Sequence, residues 1–154
     1  MGQLIGHNSP LGGVRVLLVE DHEMVREVIT HLLVEFGAKV TATTGVAEAL
    51  EVFARERPDV VLSDIEMADE NGYALIRKLR ALPKDRGGKT PAAGLTGLCS
   101  AEDRARVLQA GFQCYLAKPV DTKMLVHAVA VLAARAVAAT SDPKRALPDT
   151  SVVR

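Results

Sequence analysis

Residues Val14–Gly37 read VRVLLVEDHEMVREVITHLLVEFG, and this stretch decides the fold. Its opening run, Val14 to Val19, is almost continuously apolar, as a strand covered on both faces of a sheet requires. Glu20 and Asp21 follow. Apolar residues then recur at Val25, Val28, Ile29, Leu32, Leu33 and Phe36, the stripe of an amphipathic helix, and Gly37 stands where a helix is readily closed. A strand buried on both faces and followed at once by a helix is the start of a parallel sheet with crossover helices.

Working outward, the pattern repeats. Ala38 to Thr43 alternates and reads as an edge strand; Val46, Ala49, Leu50 and Phe53 form the inward face of a second helix that ends before Pro58. Asp59 to Ser63 is a third strand and Asn71 to Leu82 a third helix. A polar loop, Pro83 to Thr90 with Gly87 and Gly88, leads to a fourth strand, Ala92 to Leu95. Ser100 and Asp103 have the spacing of a capping box for a fourth helix, which Gly111 closes. Phe112 to Ala117 is the fifth strand, and Asp121 caps a last helix with Leu125, Val129, Leu132 and Ala136 on one face. Five strand–helix pairs predict an α/β domain over residues 14–137. Residues 1–13, rich in glycine, read as a flexible lead-in, and 138–154 as a flexible tail.

The 154 residues suit one domain, and 19 Lys plus Arg against 19 Asp plus Glu give no global pull toward nucleic acid. A basic run, Arg77, Lys78, Arg80, Lys84, Arg86 and Lys89, has no interleaved aromatics and reads as a solvated face, so direct nucleic-acid binding is not expected. No apolar stretch reaches the roughly 20 residues of a membrane span and no leader pattern opens the chain, so no membrane insertion and a cytoplasmic location are expected. Cys99 and Cys114 lack metal-ligand spacing and read as free thiols. His22 reads as a solvated residue at a helix start rather than a ligand.

In a parallel α/β sheet, ligands bind outside the carboxyl ends of the strands. There the first strand delivers Glu20 and Asp21, the third Asp64, the fourth Thr96 and the fifth Lys118. Three carboxylates buried together are costly unless a cation neutralises them, and oxygen ligands without nearby His or Cys favour Mg²⁺ or Mn²⁺. A carboxylate, a divalent cation, a hydroxyl and an ammonium converging on one point are what phosphoryl transfer to aspartate needs. Gly97, after Thr96, leaves room for the phosphoryl group beside the backbone.

With VLLVED at 16–21, VVLSDIEMADENG at 60–72, GLTG at 94–97 and YLAKPV at 115–120, the chain resembles the receiver domain of two-component response regulators over about residues 14–135. The resemblance implies a flavodoxin-like (βα)5 doubly wound fold with strand order 2-1-3-4-5. It implies that Asp64 is the phosphoacceptor and that Glu20, Asp21, Asp64 and the backbone carbonyl of Glu66 hold Mg²⁺. Thr96 and Lys118 would bind the phosphoryl group, Tyr115 would be the switch aromatic that follows Thr96, and Pro119 would follow a cis peptide bond. The implied donor is a sensor histidine kinase or a histidine phosphotransfer protein. The implied output is a changed surface on the fourth helix, fifth strand and fifth helix, read by a downstream protein or by a second copy in a phosphorylation-dependent dimer. Two departures stand out. Ala68 replaces a usual proline, which loosens the loop after Asp64, and Gly97 replaces a usual alanine. The acidic side chain of Glu66 also lies near the path of attacking water.

Two other readings remain open from sequence. One is a constitutive interaction module with this fold that does not switch. The other is a turnover enzyme, either a flavin protein or an aspartyl-phosphate phosphatase. Such phosphatases carry a second aspartate two places after the nucleophile, where this chain has Glu66. The residues after the last helix are too few for an output domain, which needs at least about 50. The expectation is therefore a free-standing regulator or the receiver module of a hybrid sensor kinase, catalysing its own phosphorylation and dephosphorylation but no turnover of an external substrate.

Overall fold

The structure, a computed structural model, describes residues 9–98 and 100–141, the last five as helix backbone only. The lead-in before residue 9, Cys99 and the tail beyond 141 lie outside the described residues. Five strands, β1 (Arg15–Val19), β2 (Lys39–Thr43), β3 (Val60–Asp64), β4 (Ala92–Thr96) and β5 (Cys114–Ala117), alternate with five helices. The helices are α1 (Glu23–Glu35), α2 (Val46–Glu56), α3 (Gly72–Arg80), α4 (Ala101–Ala110) and α5 (Thr122–Ser141). All strand pairs are parallel and the sheet order is β2-β1-β3-β4-β5, as the sequence predicts.

The two-residue period of a strand sorts the core into two layers. Val16 and Leu18 of β1 point toward Ile29 and Leu33 of α1 and Leu125, Val129 and Leu132 of α5. Leu17 and Val19 point the other way, toward Phe53 of α2, Ile76 and Leu79 of α3 and Val107 of α4. Covering both faces is what makes the strands read as unbroken apolar runs. The helix starts behave as their residues dictate. Asn71 Oδ1 accepts from the Ala74 N–H at 3.1 Å, Ser100 and Asp103 form a reciprocal capping box, and Asp121 Oδ2 accepts from the Met124 N–H at 3.0 Å. Gly37, at φ 105°, takes the left-handed conformation that closes α1.

Four expectations need correction. The apolar stripe of α1 is narrower than its sequence suggests, because Val28 is 55% exposed while Ile29 and Leu33 are buried. Each residue turns the helix by about 100°, and on α1 the stripe centres on Ile29 and Leu33, which puts Val28 beyond its edge. The lead-in stops short of Gly13: Leu11 is fully buried beside α1, its N–H donates to Phe36 O at 3.0 Å, and the Gly13 N–H donates to Gly37 O at 3.2 Å. Glycines made this segment look unstructured, but one leucine docks it. Leu11→Ala is accordingly expected to cost about 2–5 kcal/mol by urea denaturation, where a loose lead-in would cost nothing. At the other end, the helix α5 continues to Ser141, beyond the boundary at 137.

The basic run is likewise not uniformly solvated. The Arg80 guanidinium bonds Gly111 O and Gly88 O, both at 3.0 Å, and Gln113 Oε1 at 3.1 Å, bracing α3 against the start of β5. Burial pushes its pKa below the ordinary arginine value. Among the described residues no helix is long and apolar enough to cross a membrane.

Candidate functional site

Register brings the polar residues to one edge. Val19 pairs with Ser63 and Thr96 with Ala117, so the residues one step on, Glu20, Asp64 and Lys118, emerge side by side next to Thr96. Glu20, Asp64 and Thr96 are buried, Lys118 is half-buried and Asp21 is exposed. Asp64, the last residue of β3, is 2% exposed, and its Oδ1 lies 2.9 Å from Lys118 Nζ. Lys118 Nζ also lies 3.5 Å from Glu20 Oε1. Carboxylate oxygens of Glu20, Asp21 and Asp64 all lie within 4.8 Å of one another.

The electrostatics follow from this crowding. Burial, aided by the charge of Asp64, raises the Glu20 carboxyl above its usual range, against the His22 N–H, which donates to Oε2 at 3.1 Å. Burial alone would lower Lys118, but its hydrogen bond to Asp64 and the charges of Asp64 and Glu20 outweigh that, leaving its pKa above the ordinary lysine value. One ammonium cannot balance three carboxylates. Glu20 Oε1, buried, finds no hydrogen-bond donor among the described residues, only the longer ion-pair contact with Lys118. Excess negative charge, an all-oxygen donor set and that orphaned oxygen together fit a hard divalent cation held by Glu20, Asp21 and Asp64.

His22, exposed at the start of α1, is its N-cap: its Nδ1 accepts from the Val25 N–H at 3.4 Å, a capping role beyond the solvated residue that the sequence reading saw there. Tyr115 is half-buried on β5, against the layer that contains Tyr73 and Val107. The Lys118–Pro119 peptide bond is cis. Two readings of the loops after β3 and β4 change. Ala68 does not simply loosen it, because its N–H, which a proline would lack, donates to Asp21 Oδ2 at 2.9 Å. A Cβ on Gly97 would meet no described heavy atom within 4 Å, so no packing contact requires glycine there.

Sequence reasoning missed what the Glu66 side chain does. Thr96 Oγ1 donates to Glu66 Oε2 at 2.5 Å and the Gly97 N–H donates to Oε1 at 3.2 Å. Glu66 and Thr96 lie 30 residues apart, and only the adjacency of β3 and β4 joins them. Two open cavities of about 800 and 690 Å³, lined by Lys84, Lys89 and Pro91 among others, contain none of these groups.

Comparisons with known proteins agree with this fold. The family model described as "Response regulator receiver domain" matches residues 16–130. An uncharacterized 14.6 kDa protein of Leptolyngbya boryana is 38% identical over 119 residues, which cover 77% of this chain and 89% of that protein. The hybrid signal transduction histidine kinase D of Dictyostelium discoideum is 34% identical over 128 residues, covering 79% of this chain but only 8% of the kinase. The sensor histidine kinase RcsC of Salmonella typhimurium is 32% identical over 120 residues, covering 78% of this chain and 12% of the kinase. Among solved structures, the receiver domain of the sensor histidine kinase PA1611 from Pseudomonas aeruginosa, with magnesium coordinated in its active-site cleft, superposes with a TM-score of 0.72 at 32% identity. That match covers 80% of this chain and 99% of that one. The receiver domain of the Francisella response regulator 1452 superposes with a TM-score of 0.73 at 28% identity, covering 80% and 98%.

Proposed function

Since the chain belongs to the response regulator receiver family, as a receiver domain of two-component signalling, we propose that it is a phosphorylation-dependent switch in which Asp64 is the phosphoacceptor. The observation that carries this reading is the 2.9 Å contact between Asp64 Oδ1 and Lys118 Nζ at the strand edge shared with Glu20, Asp21 and Thr96. A phosphohistidine on a sensor histidine kinase or histidine phosphotransfer protein is the donor. Its N–P bond breaks, an Asp64 Oδ–P bond forms, and the imidazole leaves with the electron pair. Lys118 neutralises charge on the phosphoryl oxygens, and the Thr96 hydroxyl donates a hydrogen bond to one of them. Mg²⁺, or Mn²⁺, held by Glu20, Asp21, Asp64 and the Glu66 backbone carbonyl, supplies the remaining neutralising charge.

Recruiting Thr96 toward the phosphoryl group vacates space that Tyr115 follows, which changes the surface of α4, β5 and α5. A downstream protein, or a second copy, reads that surface. The chain spans 89% of the Leptolyngbya protein but 8% and 12% of the two kinases, so it serves either as a free-standing regulator or as the receiver module of a hybrid kinase, in the cytoplasm.

The direct test is incubation with acetyl phosphate and Mg²⁺, followed by intact-mass measurement. One added phosphoryl group, absent from the Asp64→Asn chain, is expected; no mass gain in the native chain would sink the proposal. Metal binding is tested apart from phosphorylation. Mg²⁺ at about a hundred times its Kd is expected to stabilise the native chain by about 2.7 kcal/mol, read as a rise in thermal midpoint. Asp21→Asn, at an exposed position, is expected to leave the fold intact and remove most of that rise.

A further inference from the structure

The Thr96 hydroxyl, proposed to receive a phosphoryl oxygen, and the Gly97 N–H beside it already hold two oxygens of this chain. Thr96 Oγ1 donates to Glu66 Oε2 and the Gly97 N–H to Oε1, so one carboxylate spans the hydroxyl and the amide. Thr96 Oγ1 itself accepts the Leu98 N–H at 2.9 Å, and its single proton has two acceptors in reach, Glu66 Oε2 at 2.5 Å and Leu98 O at 3.3 Å, of which the shorter, charged contact to Glu66 is the stronger. The backbone of Glu66 is anchored at the other end of the site, its N–H donating to Asp64 Oδ1 at 3.2 Å. The side chain therefore bridges from the nucleophile to the Thr96 and Gly97 donors.

We propose that Glu66 is a built-in competitor for the phosphoryl group, its carboxylate occupying the Thr96 and Gly97 donors until phosphorylation of Asp64 displaces it. This rests on the reading of Asp64 as the phosphoacceptor. Both hydrogen bonds are charge-assisted, which makes them the strong kind. A phosphoryl group on Asp64 brings negative charge to the same donors, and one hydroxyl proton cannot serve both acceptors. Glu66 is exposed, so its carboxylate can swing into water without burying a charge. The cost of breaking its two hydrogen bonds then sits on the path of phosphoryl entry. Loss of Glu66 opens that path without touching the nucleophile or Lys118.

Two variants separate placement from charge. Glu66→Ala removes the carboxylate, whereas Glu66→Asp keeps the charge but is shorter by one carbon–carbon bond, about 1.5 Å, and loses its reach. With acetyl phosphate and Mg²⁺, the acyl O–P bond breaks, the Asp64 Oδ–P bond forms and acetate leaves; no proton or further reactant is needed. Both variants are expected to gain the phosphoryl mass about tenfold faster than the native chain. The Gly97 amide resonance of both unphosphorylated variants is expected to move from its native position, since its acceptor is gone. Circular dichroism confirms folding of each. Glu66→Asp labelling as slowly as the native chain, Glu66→Ala labelling no faster, or an unmoved Gly97 amide each overturns the proposal alone. If neither native nor variant chains label, the phosphoacceptor reading falls and takes this one with it.

Discussion

Asp64→Asn is expected to reduce labelling by acetyl phosphate to background while the chain stays folded. The amide has nearly the shape of the carboxylate, so the 2% exposed site is neither enlarged nor overpacked. What is lost is the nucleophile, since a carboxamide oxygen does not form a stable acyl phosphate. The effect on stability runs opposite to that of an ordinary broken ion pair. Removing one partner of a buried pair usually strands a charge and destabilises. Here Lys118, 2.9 Å from Asp64, keeps Glu20 Oε1 at 3.5 Å, and the change removes one of three carboxylates crowded around a single ammonium. Without Mg²⁺ the Asp64→Asn chain should therefore be at least as stable as the native one in urea denaturation. With Mg²⁺ its gain in stability should be smaller. A large loss of stability without metal would show that the Asp64–Lys118 pair, not carboxylate repulsion, dominates this edge.

The second large effect is expected at Gly72, where helix α3 begins against the back of the site. A Cβ there would lie 2.5 Å from Asp64 O and 3.0 Å from Ile65 Cα, both backbone atoms that cannot rotate away. The Gly72 N–H donates to Ile65 O at 3.0 Å, so the contact is pinned from both sides. Alanine is the better helix former by about 1 kcal/mol, but overpacking against fixed backbone costs about 3 kcal/mol and wins. Gly72→Ala should thus lose about 2 kcal/mol in urea denaturation, and labelling at Asp64 should fall with it because the carbonyl of the phosphoacceptor must move. Gly45→Ala is the control. It precedes α2 in extended backbone, with no described heavy atom within 4 Å of the added carbon, and should change stability by less than about 1 kcal/mol. Equal losses at the two positions would show that helix entry, not the contact with Asp64, sets the effect.

The chemistry-bearing residues of the strand edge were readable because each stands where an apolar run stops. Glu20, Asp64 and Lys118 follow Val19, Ser63 and Ala117, and parallel pairing in register carries them to the same edge. The capping residues Ser100 and Asp121 were readable for a similar reason, since a cap acts within three residues of itself. The misreadings came where local composition and long-range packing disagree. Glycines around Leu11 suggested a loose segment, yet the end of α1 at Phe36 and Gly37 accepts its hydrogen bonds. Arg80 sits in a run of cations that looked solvated, yet its guanidinium finds carbonyls at Gly88 and Gly111.

The sequence by itself thus determined the alternation of strands and helices, the helix caps and the set of groups at the carboxyl edge, because strand and helix periodicity and capping are local properties of the chain. Tertiary structure alone decided what the side chains at that edge do to one another. Glu66 reaches Thr96 and Gly97 only because β3 lies beside β4, and Ala68 reaches Asp21 only because β1 lies beside β3. Hydrogen bonds act over about 3 Å, and no spacing along the chain encodes which distant donors fall within that reach of a given carboxylate.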